Sequence, residues 1–204
     1  MSFVDLPDVF VGSTDDAHTF VVFNRPRHGA DHILTDAGFT AREHNGRTIY
    51  LIPPGIPQDA NERAVWALHG LLVGNKEFVD LSWTTYRDPH GPLPGSHLCF
   101  RFADGTVTAT AETDTARWIL EQHGFTPSPD GSYLPPSGLD ELGLLDAVEY
   151  AHLHAYIEGL GSRVDLGIPT PDAIPIAPRQ KPARAQAASP GPVPAPGNTG
   201  RRHR

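Results

Sequence analysis

The chain has 204 residues, 39% hydrophobic and 20% charged, which suffices for one domain, or two small ones, with an apolar core. Its only cysteine, Cys99, excludes an intramolecular disulfide, and the sequence has no run of about 20 apolar residues such as a membrane span requires. The formal charge of −8 is unevenly distributed, with −14 over residues 1–176 and +6 over residues 177–204. An acidic body repels nucleic acid, so any contact with a polyanion is expected to involve the C-terminal tail.

The first ten residues contain two aspartates and no positively charged region, which argues against a signal peptide. We therefore expect a cytoplasmic protein with no contact to a membrane.

The first half of the chain predicts two strands, a helix, two more strands and a second helix. Apolar runs at 9–11 and 20–23 flank a polar turn and indicate the first strand pair. A helix is then indicated by the i, i+3, i+4, i+7 spacing of Ala30, Ile33, Leu34 and Ala37. Asn45-Gly46 favours a type I′ hairpin, and the apolar spacing within residues 59–73 indicates the longer second helix.

The second half predicts the same order of elements. Asp104-Gly105 indicates a hairpin between strands at 99–102 and 106–109. One helix is indicated by Ala116, Ile119 and Leu120, and another by the apolar spacing within residues 139–157.

An internal repeat relates the two halves. Residues 33–40 and 119–126 are identical at five of eight positions, at an offset of 86. Within this match, Gly38 and Gly124 follow the predicted helices, where a left-handed residue ends a helix at no steric cost. Further landmarks recur in the same order: the Pro pairs after Tyr50-Leu51 and Tyr133-Leu134, and Val-Asp-Leu at 79–81 and 164–166.

These patterns predict an α+β fold made by tandem duplication of a ββαββα unit. The two units are expected to pack with pseudo-twofold symmetry, because neither alone covers both faces of its sheet. The expected divisions are unit 1 at 1–81, a connector at 82–97, unit 2 at 98–168 and a disordered Pro/Ala/Arg-rich tail at 169–204.

No sequence pattern indicates a catalytic, metal or cofactor site. His28 and His32 could share a helix face, but no Cys pair accompanies them to complete a zinc site. Cys99 lies in a predicted strand, where a buried and inert thiol is the usual case. Residues 70–76 depart from the phosphate-binding loop in glycine spacing and lack the Ser or Thr after the lysine.

Three groups of residues remain as candidates for binding. The first is a cationic group confined to unit 1, which could bind phosphate or carboxylate or could form a solvated mixed-charge surface; its main members are Arg25, Arg27, Arg42 and Arg47. The second is the pair Tyr50 and Tyr133, which either line a cleft between the units or belong to the core. The third lies in the tail, where Arg201, Arg202 and Arg204 could contact nucleic acid weakly.

Three functions fit the sequence. We favour a non-enzymatic interaction or accessory protein that binds another protein, because no catalytic constellation is present and the body is acidic. The alternatives are a DNA-associated regulatory or mobile-element protein, and a small-ligand binder or enzyme that uses the cleft between the units.

Overall fold

A computed structural model of the chain describes residues 2–26, 28–55, 58–72, 77–82, 97–103 and 105–177. Within these ranges the protein is α+β, with two mixed five-stranded sheets and four α-helices. The predicted connector lies largely outside the described residues, as do Arg27 and the tail from residue 178 onward.

The first sheet contains β1 (Val9–Ser13), β2 (Thr19–Phe23), β3 (Thr40–His44), β4 (Arg47–Ile52) and β5 (Phe78–Asp80). Helix α1 (Ala30–Asp36) joins β2 to β3, and α2 (Gln58–Leu72) lies between β4 and β5. The strand order is β3-β4-β2-β1-β5. The β1–β5 pair is parallel and the other pairs are antiparallel.

The second sheet contains β6 (Leu98–Ala103), β7 (Thr106–Ala111), β8 (Thr126–Pro127), β9 (Tyr133–Leu134) and β10 (Ser162–Asp165). Helix α3 (Asp114–Gln122) joins β7 to β8, and α4 (Glu141–Ile157) joins β9 to β10. The strand order is β8-β9-β7-β6-β10, with β6 and β10 parallel. The two sheets therefore have the same topology, because the order β3-β4-β2-β1-β5 in the first corresponds strand by strand to β8-β9-β7-β6-β10 in the second.

The predicted helices and strands are confirmed, with bounds that move by a few residues. Gly38 and Gly124 have φ of 99° and 79°, as expected of residues that end a helix in the left-handed region. Asn45 and Gly46 both have positive φ, as a type I′ hairpin requires. The ββαββα prediction omitted β5 and β10, because strands of three and four residues are too short to show an alternating pattern.

Two apolar clusters hold the fold together. One face of the first sheet, with Val11 and Val21, packs under Leu34 of α1 and Leu68 of α2. The opposite face, which carries Phe10, Phe20 and Ile49, belongs to a second cluster. That cluster continues into the other half through residues of β6, α3 and α4, including Phe100, Leu120 and Leu145. The two halves therefore share one core.

The chain stays packed beyond the predicted start of the tail at residue 169. Pro171–Ala173 forms a 3-10 helix, and the side chain of Ile174 is buried in the shared core. His44 Nε2 lies 3.0 Å from the carbonyl oxygen of Ile174, to which a ring N–H donates. Residues 171–174 are therefore packed although their composition indicates disorder, because the Ile174 side chain anchors them in the core.

Replacing Gly12 with alanine tests this shared core. An added Cβ would lie 2.7 Å from Leu166 Cδ1, 2.8 Å from Phe10 Cε1 and 2.9 Å from Phe20 Cζ, all closer than normal contacts. Because these side chains are packed together, we expect Gly12→Ala to lower the free energy of unfolding by about 1–3 kcal/mol in urea denaturation.

The matched control is Gly70→Ala in α2, where, beyond the adjoining residues and the backbone of the helix itself, no atom of the described residues lies within 4 Å of the added Cβ. This change is expected to raise the free energy of unfolding by about 0.5–1 kcal/mol, because alanine favours a helix interior over glycine. A Gly12→Ala protein as stable as the parent would mean that Leu166 does not pack on β1 as described.

Candidate interaction surface

Large apolar side chains are exposed on one side of the α3–α4 helix pair. Tyr150 and Ile157 lie seven residues apart on α4, so they share a face two turns apart, and they are 62% and 69% exposed. Trp118 of α3 is 47% exposed, and its ring centroid lies 5.3 Å from that of His154 on α4. We call Trp118, Tyr150, His154 and Ile157 the α3–α4 surface.

Helix α4 carries two large apolar side chains on its exposed side, where acidic residues are exposed as well. Its buried side packs in the shared core through Leu145, Val148, Ala151 and Ala155. A helix that covers only its own core usually carries polar residues on the opposite face. The exposed positions of Tyr150 and Ile157 depart from that pattern, which is the usual sign of a contact surface for another molecule.

Two histidines connect α3 to α4 at the edge of this surface. His123 Nε2 lies 3.1 Å from His154 Nδ1, a hydrogen bond that needs one ring to donate and the other to accept. Burial lowers the pKa of His123, and the neighbouring His154 lowers it further. Neutral His123 is therefore favoured, and its hydrogen bond to His154 links the two helices.

Exposed acidic side chains lie on the same two helices as the α3–α4 surface. Glu121, Asp146 and Glu158 are exposed near it on the two helices. Glu158 Oε1 lies 4.0 Å from His154 Nε2. Burial raises the pKa of Asp146, and Asp140 and Glu77 raise it further, as expected where negative charges accumulate. The surface combines apolar side chains with a negative border.

The other half carries an exposed aromatic residue at a corresponding place. Trp66 follows buried Ala64 by two residues in α2, as Tyr150 follows buried Val148 in α4. Trp66 is 73% exposed, and its ring centroid lies 6.1 Å from that of His69.

The junction between the halves holds a carboxylate with an altered pKa. Glu149 of α4 accepts a hydrogen bond from the backbone N–H of Asp80 in β5, with an N–O distance of 3.3 Å. Burial raises the pKa of Glu149 to about 7, and the charges of Asp80 and Asp146 contribute to the increase. The Asp80 side chain is itself buried and accepts hydrogen bonds from the Ser82 backbone and hydroxyl. Asp80 therefore shapes the local turn through its side chain and contacts the second half through its backbone N–H.

The predicted arginines do not form one surface in the structure. Arg25 Nε lies 2.9 Å from Asp8 Oδ1, and Arg42 Nη2 lies 2.5 Å from Asp172 Oδ1. The Arg47 side chain is buried and forms an ion pair with Asp5. Arg27, Arg201, Arg202 and Arg204 lie outside the described residues.

Both predicted tyrosines lie in strands, and both side chains are buried in apolar clusters. Tyr50 belongs to the cluster under α1 and α2, and burial raises the pKa of its phenol, with a further increase from Asp31. Tyr133 belongs to the shared core. Their placement fits the core alternative rather than the lining of a cleft.

The described residues offer little for metal or nucleophilic chemistry. They contain no group of three or more His, Cys, Asp or Glu side chains arranged to hold a metal ion. Cys99 is partly buried in β6, and burial raises the pKa of its thiol, which disfavours the reactive thiolate. In the same part of the chain no helix has the length and apolarity needed to cross a bilayer.

The α3–α4 surface was not predicted from the sequence. A signal was present, since Tyr150 and Ile157 occupy the face of α4 that should be polar if only the core required apolar residues. Trp118 carried no such signal, because a single tryptophan on an otherwise polar helix face is compatible with burial.

Comparison of the chain with protein-family models, with curated proteins and with solved structures found no match.

Proposed function

We propose that this protein is a non-enzymatic accessory protein that binds another protein through the α3–α4 surface. The observation that carries the proposal is the exposure of Trp118, Tyr150 and Ile157 on adjacent helices. Aromatic residues are enriched where proteins bind each other, because they bury a large area with few rotatable bonds.

The chemistry of this surface favours a cationic partner. Glu121, Asp146 and Glu158 border the apolar side chains, and residues 1–176 carry a formal charge of −14. Complementary charge accelerates encounter and excludes acidic competitors. The partner is therefore an apolar segment flanked by Lys or Arg, such as one face of a basic amphipathic helix.

We also infer that the two halves arose by tandem duplication. Support comes from the matching strand orders, from the sequence match around Gly38 and Gly124, and from the corresponding positions of Trp66 and Tyr150. In this view β5 and β10 extend the ββαββα unit by one strand.

The test compares a triple variant with a control variant in partner binding. Trp118→Ala/Tyr150→Ala/Ile157→Ala removes the apolar centre, whereas Ile176→Ala removes an equally exposed apolar side chain elsewhere. After a partner is captured from nuclease-treated lysate and purified, calorimetry should show affinity reduced more than tenfold for the triple variant and within about twofold of the parent for the control.

The salt dependence of the affinity distinguishes a cationic partner from partners of other charge. Affinity should fall as sodium chloride is raised, because the acidic border is screened. A partner that binds the triple variant as tightly as the parent would overturn the proposal.

A role in DNA association has less support in the described residues. Arg25, Arg42 and Arg47 each pair with a carboxylate, so their charge is largely compensated. Loss of every partner after nuclease treatment would favour that role instead.

A further inference from the structure

A cavity of about 350 Å³ lies where the two halves meet, separate from the α3–α4 surface. Its size is at the lower end of pockets that hold small ligands. The N-terminal segment of the first half contributes Phe3, whose ring centroid lies 4.9 Å from that of Phe102 in β6, with the two rings tilted by 37°. The second half contributes the β6–β7 hairpin, the first turn of α4 and the segment after β10.

Most of the cavity wall is apolar. Aromatic and aliphatic side chains come from Phe3, Phe102, Val107, Leu144 and Leu166. Such walls favour an aromatic ring or a branched aliphatic group, since burial of apolar surface is worth about 25 cal/mol per Å².

One ionisable residue, Glu141, lines the cavity within the described part of the chain. Its carboxylate has no ion pair or hydrogen bond with any described residue, and Asp140 beside it adds a second negative charge. The described wall contains no arginine, lysine or histidine to neutralise it. Ser2 and Thr106 add hydroxyl groups that can donate or accept.

We infer that this cavity binds a small amphiphilic amine, with an apolar group against Phe3, Phe102 and Leu144 and an ammonium group at Glu141. A ligand cation would pair with the Glu141 carboxylate, which is the one ionisable group among the described lining residues. The hydroxyl of Thr106 accepts a second hydrogen bond from the ammonium group. This inference does not depend on protein binding at the α3–α4 surface.

The test uses full-length protein and two probes that differ in charge. 2-Phenylethylamine carries a ring and an ammonium group, and 3-phenylpropanoate carries the same ring with a carboxylate. In titrations followed by ¹H–¹⁵N NMR, the amine should bind saturably with a Kd on the order of 1 mM, typical of a ligand of this size. Its shifts should centre on Phe102, Thr106 and Leu144, and the carboxylate should bind at least tenfold more weakly.

Two variants on α4 distinguish the cavity from general attraction to an acidic protein. Glu141→Gln should weaken the amine at least tenfold, whereas Glu158→Gln, at the far end of the same helix, should leave its Kd within twofold. Equal binding of both probes, no saturable binding of the amine, or shifts centred on Trp118 and Tyr150 would each overturn the inference. None of these results depends on whether a protein partner exists.

Discussion

Glu149→Gln is expected to stabilise the protein at pH 8 by about 1–3 kcal/mol in the free energy of unfolding and to have little effect at pH 4. The pKa of Glu149 is about 7 in the folded protein, against 4.5 for an unperturbed glutamate side chain. At pH 8 folding therefore keeps a charged carboxylate in a buried position beside Asp80. Each unit of this difference corresponds to about 1.4 kcal/mol, and exposure of part of the side chain reduces the total.

The direction of the pH dependence follows from proton binding. Between pH 4.5 and 7 the folded state binds the proton of Glu149 more strongly than the unfolded state does. The contribution of protonated Glu149 to the free energy of unfolding is thus fully present below about pH 4.5 and is lost as the pH rises through 7. Glutamine removes this dependence while its side-chain oxygen can still accept the hydrogen bond from the Asp80 N–H.

Urea denaturation at several pH values measures this effect, with Glu158→Gln as the control. Glu158 is an exposed acid on the same helix, so its replacement should change the free energy of unfolding by no more than about 0.5 kcal/mol. If the stabilisation by Glu149→Gln is the same at both pH values, Glu149 is not buried at the junction between β5 and α4.

Buried His152 produces the opposite dependence in acid. Burial lowers its pKa well below 6.5, and its Nδ1 hydrogen-bonds the Ser162 hydroxyl. Protonation of the unfolded state below about pH 6.5 therefore favours unfolding. Between pH 4.5 and 6.5 the two groups act in opposite directions, and both lie on α4, which contacts both sheets. The pH of maximum stability thus depends on α4 more than on the surface charges.

Local chemistry explains which parts of the fold could be predicted from the sequence. Gly38 and Asn45-Gly46 fix backbone conformations that other residues disfavour, so they identify a helix end and a hairpin without knowledge of the rest of the chain. The short strand β5 has no such signal, because its identity depends on parallel pairing with β1, nearly 70 residues earlier in the chain.

The candidate site was less predictable, because burial depends on tertiary contacts. Arg47 and Arg42 lie close together in sequence and look alike as surface cations, yet one is buried and the other is half exposed. The difference arises because Arg47 and buried Ile49 share a face of β4 in the core between the halves, where Asp5 provides a partner. An alternating strand pattern shows which residues share a face of the sheet, but it does not show which face the other half of the protein covers.

Arg47→Met is expected to cost about 3–5 kcal/mol of stability, the largest loss among the predicted arginines, because it leaves the Asp5 carboxylate buried without its partner. The Arg47 and Asp5 side chains are 6% and 4% exposed. Arg42→Met is the matched control, since the same change breaks the exposed pair with Asp172 and should cost less than about 1 kcal/mol. Urea denaturation of both variants measures the difference.

The double variant Arg47→Met/Asp5→Asn separates loss of the pair from loss of one charge. Buried Nη1 of Arg47 has no hydrogen-bond partner in the described part of the chain, so the pair does not fully compensate its own desolvation. Replacing both charges should therefore recover at least about 1 kcal/mol relative to Arg47→Met alone. If Arg47→Met and Arg42→Met lower the free energy of unfolding equally, Arg47 lies at the surface and its predicted role in binding is favoured. If Arg47→Met causes a large loss that Asp5→Asn partly restores, Arg47 belongs to the junction between the halves.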